Sequence, residues 1–235
     1  RFEQFMQNTS VRPSQHILNP IQVDRAHFII RTLLCRQDYT RIEELEDLLF
    51  MNLTSVKQIL NRAREILKLF DLKIVSKSRH GMKISGREHD LRLCLNYEYG
   101  NYSTTSLHLA QPEEYGRLYR FDPQIQQRIE RIIRSLQEMF ISYNLSVSSL
   151  ASLSRLILIS AVRSKNGHPL DYPESTIIRF TNRNSYYVAK LVLNQCAELL
   201  QCTFIREDII LLAIGFVGFR IALSPDEMFR DGFLE

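Results

Sequence analysis

Two amphipathic helical segments separated by only Phe50-Met51 constrain this chain more than any other feature. The first opens with Thr40-Arg41-Ile42-Glu43, which reads as a capping box in which hydroxyl and carboxylate satisfy reciprocal backbone donors. Its expected apolar face is Ile42, Leu45, Leu48 and Leu49, and its acids (Glu43, Glu44, Glu46, Asp47) fall in two turns that the helix dipole favours. Asn52 is a good N-cap for the second segment, with Ser55 three residues on. Val56, Leu60, Ala63 and Leu67 then recur at the period of one buried helical stripe. Two such helices with a two-residue break must cross steeply. A short helix, a tight turn and a longer helix with a polar outer face form a helix-turn-helix pattern.

The segments on either side extend that pattern. Pro20 suits the first turn of a preceding helix with apolar Val23, Ala26, Phe28, Ile30, Leu33 and Leu34. After the long helix, Leu72-Lys73-Ile74-Val75-Ser76-Lys77 and Met82-Lys83-Ile84-Ser85-Gly86 flank Ser78-Arg79-His80-Gly81. Alternating apolar and basic residues around a Gly-containing turn predict a β-hairpin. Placed there, the hairpin is a wing, with Lys73, Lys77, Arg79, His80 and Lys83 outward. Residues 87–98 return to helix through Leu91, Leu93 and Leu95.

Residues 1–20 carry no clear period and read as a linker or the remnant of an upstream domain, and Arg1 in place of Met marks a fragment. Residues 21–100 form the winged helix-turn-helix domain, 101–115 a polar, Tyr-rich connector, and 116–235 a second, all-helical domain. In the latter, Asp122-Pro123 supplies an N-cap and N1 proline for a helix through Ile125, Ile129, Ile132, Ile133, Leu136 and Phe140. Arg128, Arg131 and Arg134 drift around its solvated side. Leu150 to Val162 is apolar on most sides, a loop runs to Asn184, and further helices follow through Val188–Leu199 and from Arg206 to Ile221. Gly215 and Gly218 inside the last helix point to close helix contact, since helical Gly costs about 1 kcal/mol against Ala. The expected fold is mainly α: a winged helix-turn-helix with a short hairpin, then a helical bundle.

Composition excludes more than it selects. With 45% hydrophobic and 24% charged residues, the chain is neither disordered nor a disulfide scaffold. Its net charge of +4 is unevenly spread: residues 1–100 hold 16 basic and 12 acidic side chains, while residues 101–235 hold 14 of each. Residues 57–92 alone hold 10 basic against 4 acidic, directly after 38–47 with one basic and five acidic. That asymmetry is the footprint of a polyanion site, or simply the charge variation of solvated helix faces. Cys35, Cys94, Cys196 and Cys202 form no CxxC and lack a His partner at ligand spacing, so no metal site is expected and a cytoplasmic home with reduced thiols is. The apolar run Ile209–Phe219 is too short to span a bilayer. No Gly-rich phosphate loop, nucleophile elbow or acid/base pair is present, so neither enzyme activity nor a cofactor is expected.

Residues 25–99 resemble the second winged helix-turn-helix of BglG/Mga-type bacterial transcriptional regulators. The resemblance rests on Ile42-Glu43-Glu44-Leu45 with Leu48-Leu49-Phe50, on Asn52-Leu53-Thr54-Ser55-Val56, and on Leu72-Lys73-Ile74. The stretch Gly81-Met82-Lys83-Ile84-Ser85-Gly86-Arg87-Glu88 with Arg92 is its most family-like part. Residues 116–223 resemble a PRD, the regulation domain on which the sugar phosphotransferase system acts, through Arg163 with Gly167 and through Glu207-Asp208. The resemblance implies phospho-acceptor histidines seven residues before Arg163 and seven after Asp208, where this chain has Leu156 and Gly215. It therefore implies either control through a domain outside this sequence or a PRD that serves dimerisation. His168, in the loop after Gly167, reads as a surface residue.

Double-stranded DNA is the expected partner, with Thr54, Lys57, Gln58, Asn61 and Arg62 on the recognition helix and Lys77, Arg79 and Lys83 of the wing on phosphates. Leu53 is expected to pack beneath the turn. A homodimer through the PRD and contacts with phosphotransferase proteins are further implied partners, and no membrane is. The alternatives are a phosphorylation-independent interaction module and an RNA antiterminator; the latter class carries small β-rich RNA-binding modules, unlike residues 21–98.

Overall fold

The computed structural model describes residues 20–36, 38–102, 119–140 and 145–221. They divide between two compact units with the break between Arg120 and Phe121. Residues 1–19 and most of the connector, and the side chains of Val23 and Phe140, lie outside the described residues.

In the first unit the order is α1 (Pro20–Cys35), α2 (Ile42–Leu49), α3 (Leu53–Lys68), β1 (Lys73–Lys77), β2 (Gly81–Ser85) and α4 (Glu88–Tyr102). Helix α3 forms as its pattern requires. Asn52 Oδ1 accepts the Ser55 N–H at 3.0 Å, and the inward stripe of Val56, Leu60, Ala63 and Leu67 is buried, joined by Ile59 and Ile66. Each large aliphatic on that face contributes about 1.5–3 kcal/mol. The stripe packs against α1, α2 and β1. β1 and β2 pair antiparallel from Lys73 opposite Ser85 to Lys77 opposite Gly81.

Helix α2 starts one residue later than the capping-box reading. Its N-cap is Arg41, whose N–H donates to Glu44 Oε1 at 3.1 Å. Thr40 is drawn off by a tertiary contact: it is fully buried in a two-bond bridge to Met82 of β2, with both N···O distances 2.8 Å. The hairpin thus carries a third extended segment on its β2 edge. The apolar face is also narrower than expected, because Leu45 and Leu49 are buried but Leu48 is 39% exposed. With only eight residues, α2 places Glu46 and Asp47 in its last turn, where the dipole opposes them instead of favouring them.

Helix α4 holds a polar core that leucine spacing did not foretell. Cys94 and Leu95 are buried, while Leu91 and Leu93 are half-buried. Glu98 is fully buried beside α1, with Oε1 2.7 Å from His27 Nδ1 and Oε2 3.4 Å from Arg31. Arg92 is fully buried and pairs with Glu88 at 2.9 Å.

The second unit is all-helical among its described residues: α5 (Pro123–Phe140), α6 (Val147–Lys165), α7 (Glu174–Thr181), α8 (Asn184–Leu200) and α9 (Arg206–Ile221). Asp122 caps α5 by accepting the Gln124 N–H at 2.8 Å. Asp208 accepts the Ile205 N–H at 2.9 Å at the start of α9. α7 corrects the loop expected up to Asn184; at eight residues with adjacent β-branched Thr176, Ile177 and Ile178 it has little helical signal of its own, and burial of Ile177 and Phe180 secures it. By length and composition α6 could cross a bilayer, yet most of it is buried inside this bundle. Its Leu153 and Ile157 join Ile133, Val188, Val192, Ile210 and Phe216 in one apolar cluster.

Candidate nucleic-acid interface

The interface is built on the outward face of α3 and on the hairpin that packs beside it. Thr54, Lys57, Gln58 and Asn61 are all exposed on that face. Asn61 is oriented by its own helix, since Oδ1 accepts from Arg64 at 2.7 Å and leaves the amide donors outward. Arg62 sits at the edge and is half-buried, with its Nε buried and lacking a hydrogen-bond partner. It is therefore less outward than the helical period implied. Leu53 departs further from expectation: it is 40% exposed at the first position of α3, because the αL turn at Phe50 swings the start of the helix away from the core.

On the wing, Lys73, Lys77, Arg79 and His80 are exposed. Arg79 occupies the loop at φ 64°, and His80 Nδ1 is 2.8 Å from the Ser78 carbonyl, so the imidazole has its other nitrogen outward. Lys83 is half-buried and not fully outward: its ammonium stacks 4.9 Å over the Tyr39 ring, which also meets His80 edge-on at 6.3 Å. Tyr39 was not singled out by sequence, because its place beside the wing follows from the Thr40–Met82 bridge. Gly81 carried the one available signal. At φ 110°, a Cβ there would lie 2.2 Å from the Thr40 carbonyl oxygen.

Electrostatically, Glu44 is the acid of α2 that the fold engages. The Arg41 backbone N–H holds its carboxyl below the usual range, against the opposing effect of partial burial, and Arg36 at 2.6 Å adds to the lowering. His89, behind the wing, is pushed down to about 4, chiefly by burial; Asp90 opposes this, and Arg87 and Arg92 reinforce it. Burial raises the Cys94 and Cys202 thiols and pushes Cys196 up to about 12, so the thiols of Cys94 and Cys196 behave as apolar groups. Among the described residues no three His, Cys, Asp or Glu side chains converge as metal ligands.

In the second unit, Leu156 and Gly215 are brought together across the α6–α9 contact. Both are buried, and a Cβ on Gly215 would lie 3.8 Å from Leu156 Cδ2 and 2.9 Å from Leu153 Cδ2. Arg128, Arg131 and Arg134 are exposed on α5, and His168 is half-buried.

Three packed helices followed by a two-stranded wing define the first unit as a winged helix-turn-helix, the class that serves DNA-binding transcription regulators. Residues 12–99 match the model of the Mga helix-turn-helix domain, so this part of the chain is similar to regulators of the Mga type. No curated protein matches the chain.

Proposed function

We propose that this chain is a cytoplasmic transcription regulator of a carbohydrate-utilisation or related operon, which binds duplex DNA through α3 and the wing. The observation that carries the reading is the α3 face itself: Thr54, Lys57, Gln58 and Asn61 stand exposed and side by side, flanked by exposed Lys77 and Arg79. Amide and cationic side chains at that spacing pair with base edges in the major groove, while the wing cations hold phosphates. Arg62 contributes from the edge of the face, and Lys83, held over Tyr39, acts as a positioned phosphate contact.

The second unit is read as a PRD-like module for dimerisation or phosphotransferase-linked control. Leu156 and Gly215, packed face to face in the α6–α9 contact, favour a module that works without phosphorylation at these positions.

The test is binding to an operator selected from random-sequence duplexes. The Lys57→Ala, Arg62→Ala double variant loses about 1–3 kcal/mol for each residue that reads a base, and its salt slope falls for each that holds a phosphate. Wild-type affinity of the double variant would overturn the recognition-helix assignment. For the second unit, incubation with the general phosphocarrier is expected to leave no phosphohistidine, and sedimentation of the full chain to show a dimer.

A further inference from the structure

The turn between α2 and α3 combines three choices that are each unfavourable for folding. Phe50 occupies a left-handed backbone position (φ 51°) where glycine is the usual residue. Its N–H donates to the Asp47 carbonyl at 3.3 Å and the Met51 N–H to Glu46 at 3.0 Å, so the turn geometry is set by backbone bonds and does not need an aromatic side chain. That side chain is 96% exposed, with Leu48 and Leu53 also about two-fifths exposed nearby in sequence. Finally, Glu46 and Asp47 place negative charge in the last turn of α2. Phe50 and Met51 line, with Glu43, Glu46 and Asp47, one shallow concavity of about 540 Å³. Those three acids make no ion pair among the described residues, whereas Glu44 beside them is held by Arg36.

An exposed aromatic rimmed by unpaired acids is the composition of an interface anchor, since aromatic hot spots work inside a ring of polar groups. Its charge repels DNA and selects a cationic protein surface. We propose that this face docks a basic surface with an apolar pocket for the Phe50 ring, on the RNA polymerase that shares the promoter DNA. The proposal rests on the DNA-binding reading above, which places a polymerase next to the bound chain.

The test uses the full chain and purified bacterial RNA polymerase holoenzyme at low salt. Phe50→Gly keeps the turn, because glycine accepts the left-handed position, and Glu43→Gln, Glu46→Gln, Asp47→Asn keeps size while removing charge. Each is expected to weaken holoenzyme binding at least tenfold, and added salt to weaken the wild type, with duplex binding unchanged. Holoenzyme binding that is equal in wild type and variants, or absent from a wild type that binds duplex, overturns the docking face alone. A wild type that fails to bind any duplex overturns the DNA reading and this proposal with it. Loss of self-association in Phe50→Gly, with holoenzyme binding unchanged, makes a second copy the occupant and also overturns the proposal.

Discussion

Gly81→Ala tests how the wing is held, with Gly167→Ala as an internal control. Both glycines have positive φ, 110° and 77°, so alanine is strained at each by roughly 1–2 kcal/mol. Alanine also restricts the unfolded chain, which offsets about 0.4–1 kcal/mol at both sites. The surroundings then differ. Around Gly167 a Cβ meets nothing within 4 Å, so its cost stays near 1 kcal/mol. At Gly81 a Cβ would stand 2.2 Å from the Thr40 oxygen and 2.8 Å from the Arg41 nitrogen. Both are backbone atoms, which cannot swing aside as a side-chain tip can. The displacement breaks the paired Thr40–Met82 hydrogen bonds, and Thr40 is fully buried, so each group left without a partner costs about 1–3 kcal/mol. The total for Gly81→Ala is then about 3–6 kcal/mol, most of the stability of a domain this size. Urea unfolding of the full chain, with hydrogen exchange to assign each transition to its unit, gives both numbers. The first unit should melt early in Gly81→Ala while the second is unchanged. Costs for the two variants within about 1 kcal/mol of each other would refute the view that the bridge, and not the backbone angle, makes Gly81 necessary.

Three further outcomes are expected. Glu98→Ala strands the buried Arg31 and His27 and should destabilise the first unit by about 3–5 kcal/mol, whereas Arg36→Ala, at a partly exposed pair, should cost under about 1 kcal/mol; chemical denaturation of both variants compares them. His89, at about 4 in the folded chain against 6.5 unfolded, leaves the unfolded state binding more protons between those values. Stability of the first unit is therefore full above about pH 6.5 and falls toward pH 4, by up to roughly 3 kcal/mol, a slope that His89→Gln should flatten in a pH series of denaturation curves. Asn52→Ala removes the cap on Ser55 and should cost about 1 kcal/mol, read as a shift in the urea midpoint of the first unit.

Local patterning alone determined the elements of the first unit and the face of α3. Asn52 with the Val56–Leu67 stripe specifies a helix because cap and period act within a few residues, and the polar outer face follows from the same period. The hairpin was equally legible, since Gly81 and the alternation on either side lie next to each other. Tertiary structure decided what contacts between distant residues control. Thr40 looked like a cap and is instead a bridge residue, because Met82, far along the chain, offers its backbone two hydrogen bonds. Helix α7 exists through the burial of Ile177 and Phe180, which its eight residues do not announce. The Glu98 cluster and the stacking of Lys83 on Tyr39 join side chains from separate elements, and no periodicity records such meetings. The sequence determined which face carries the cations. Only packing decided which of them stand free of the core, because a helical period gives direction while burial depends on every neighbour at once.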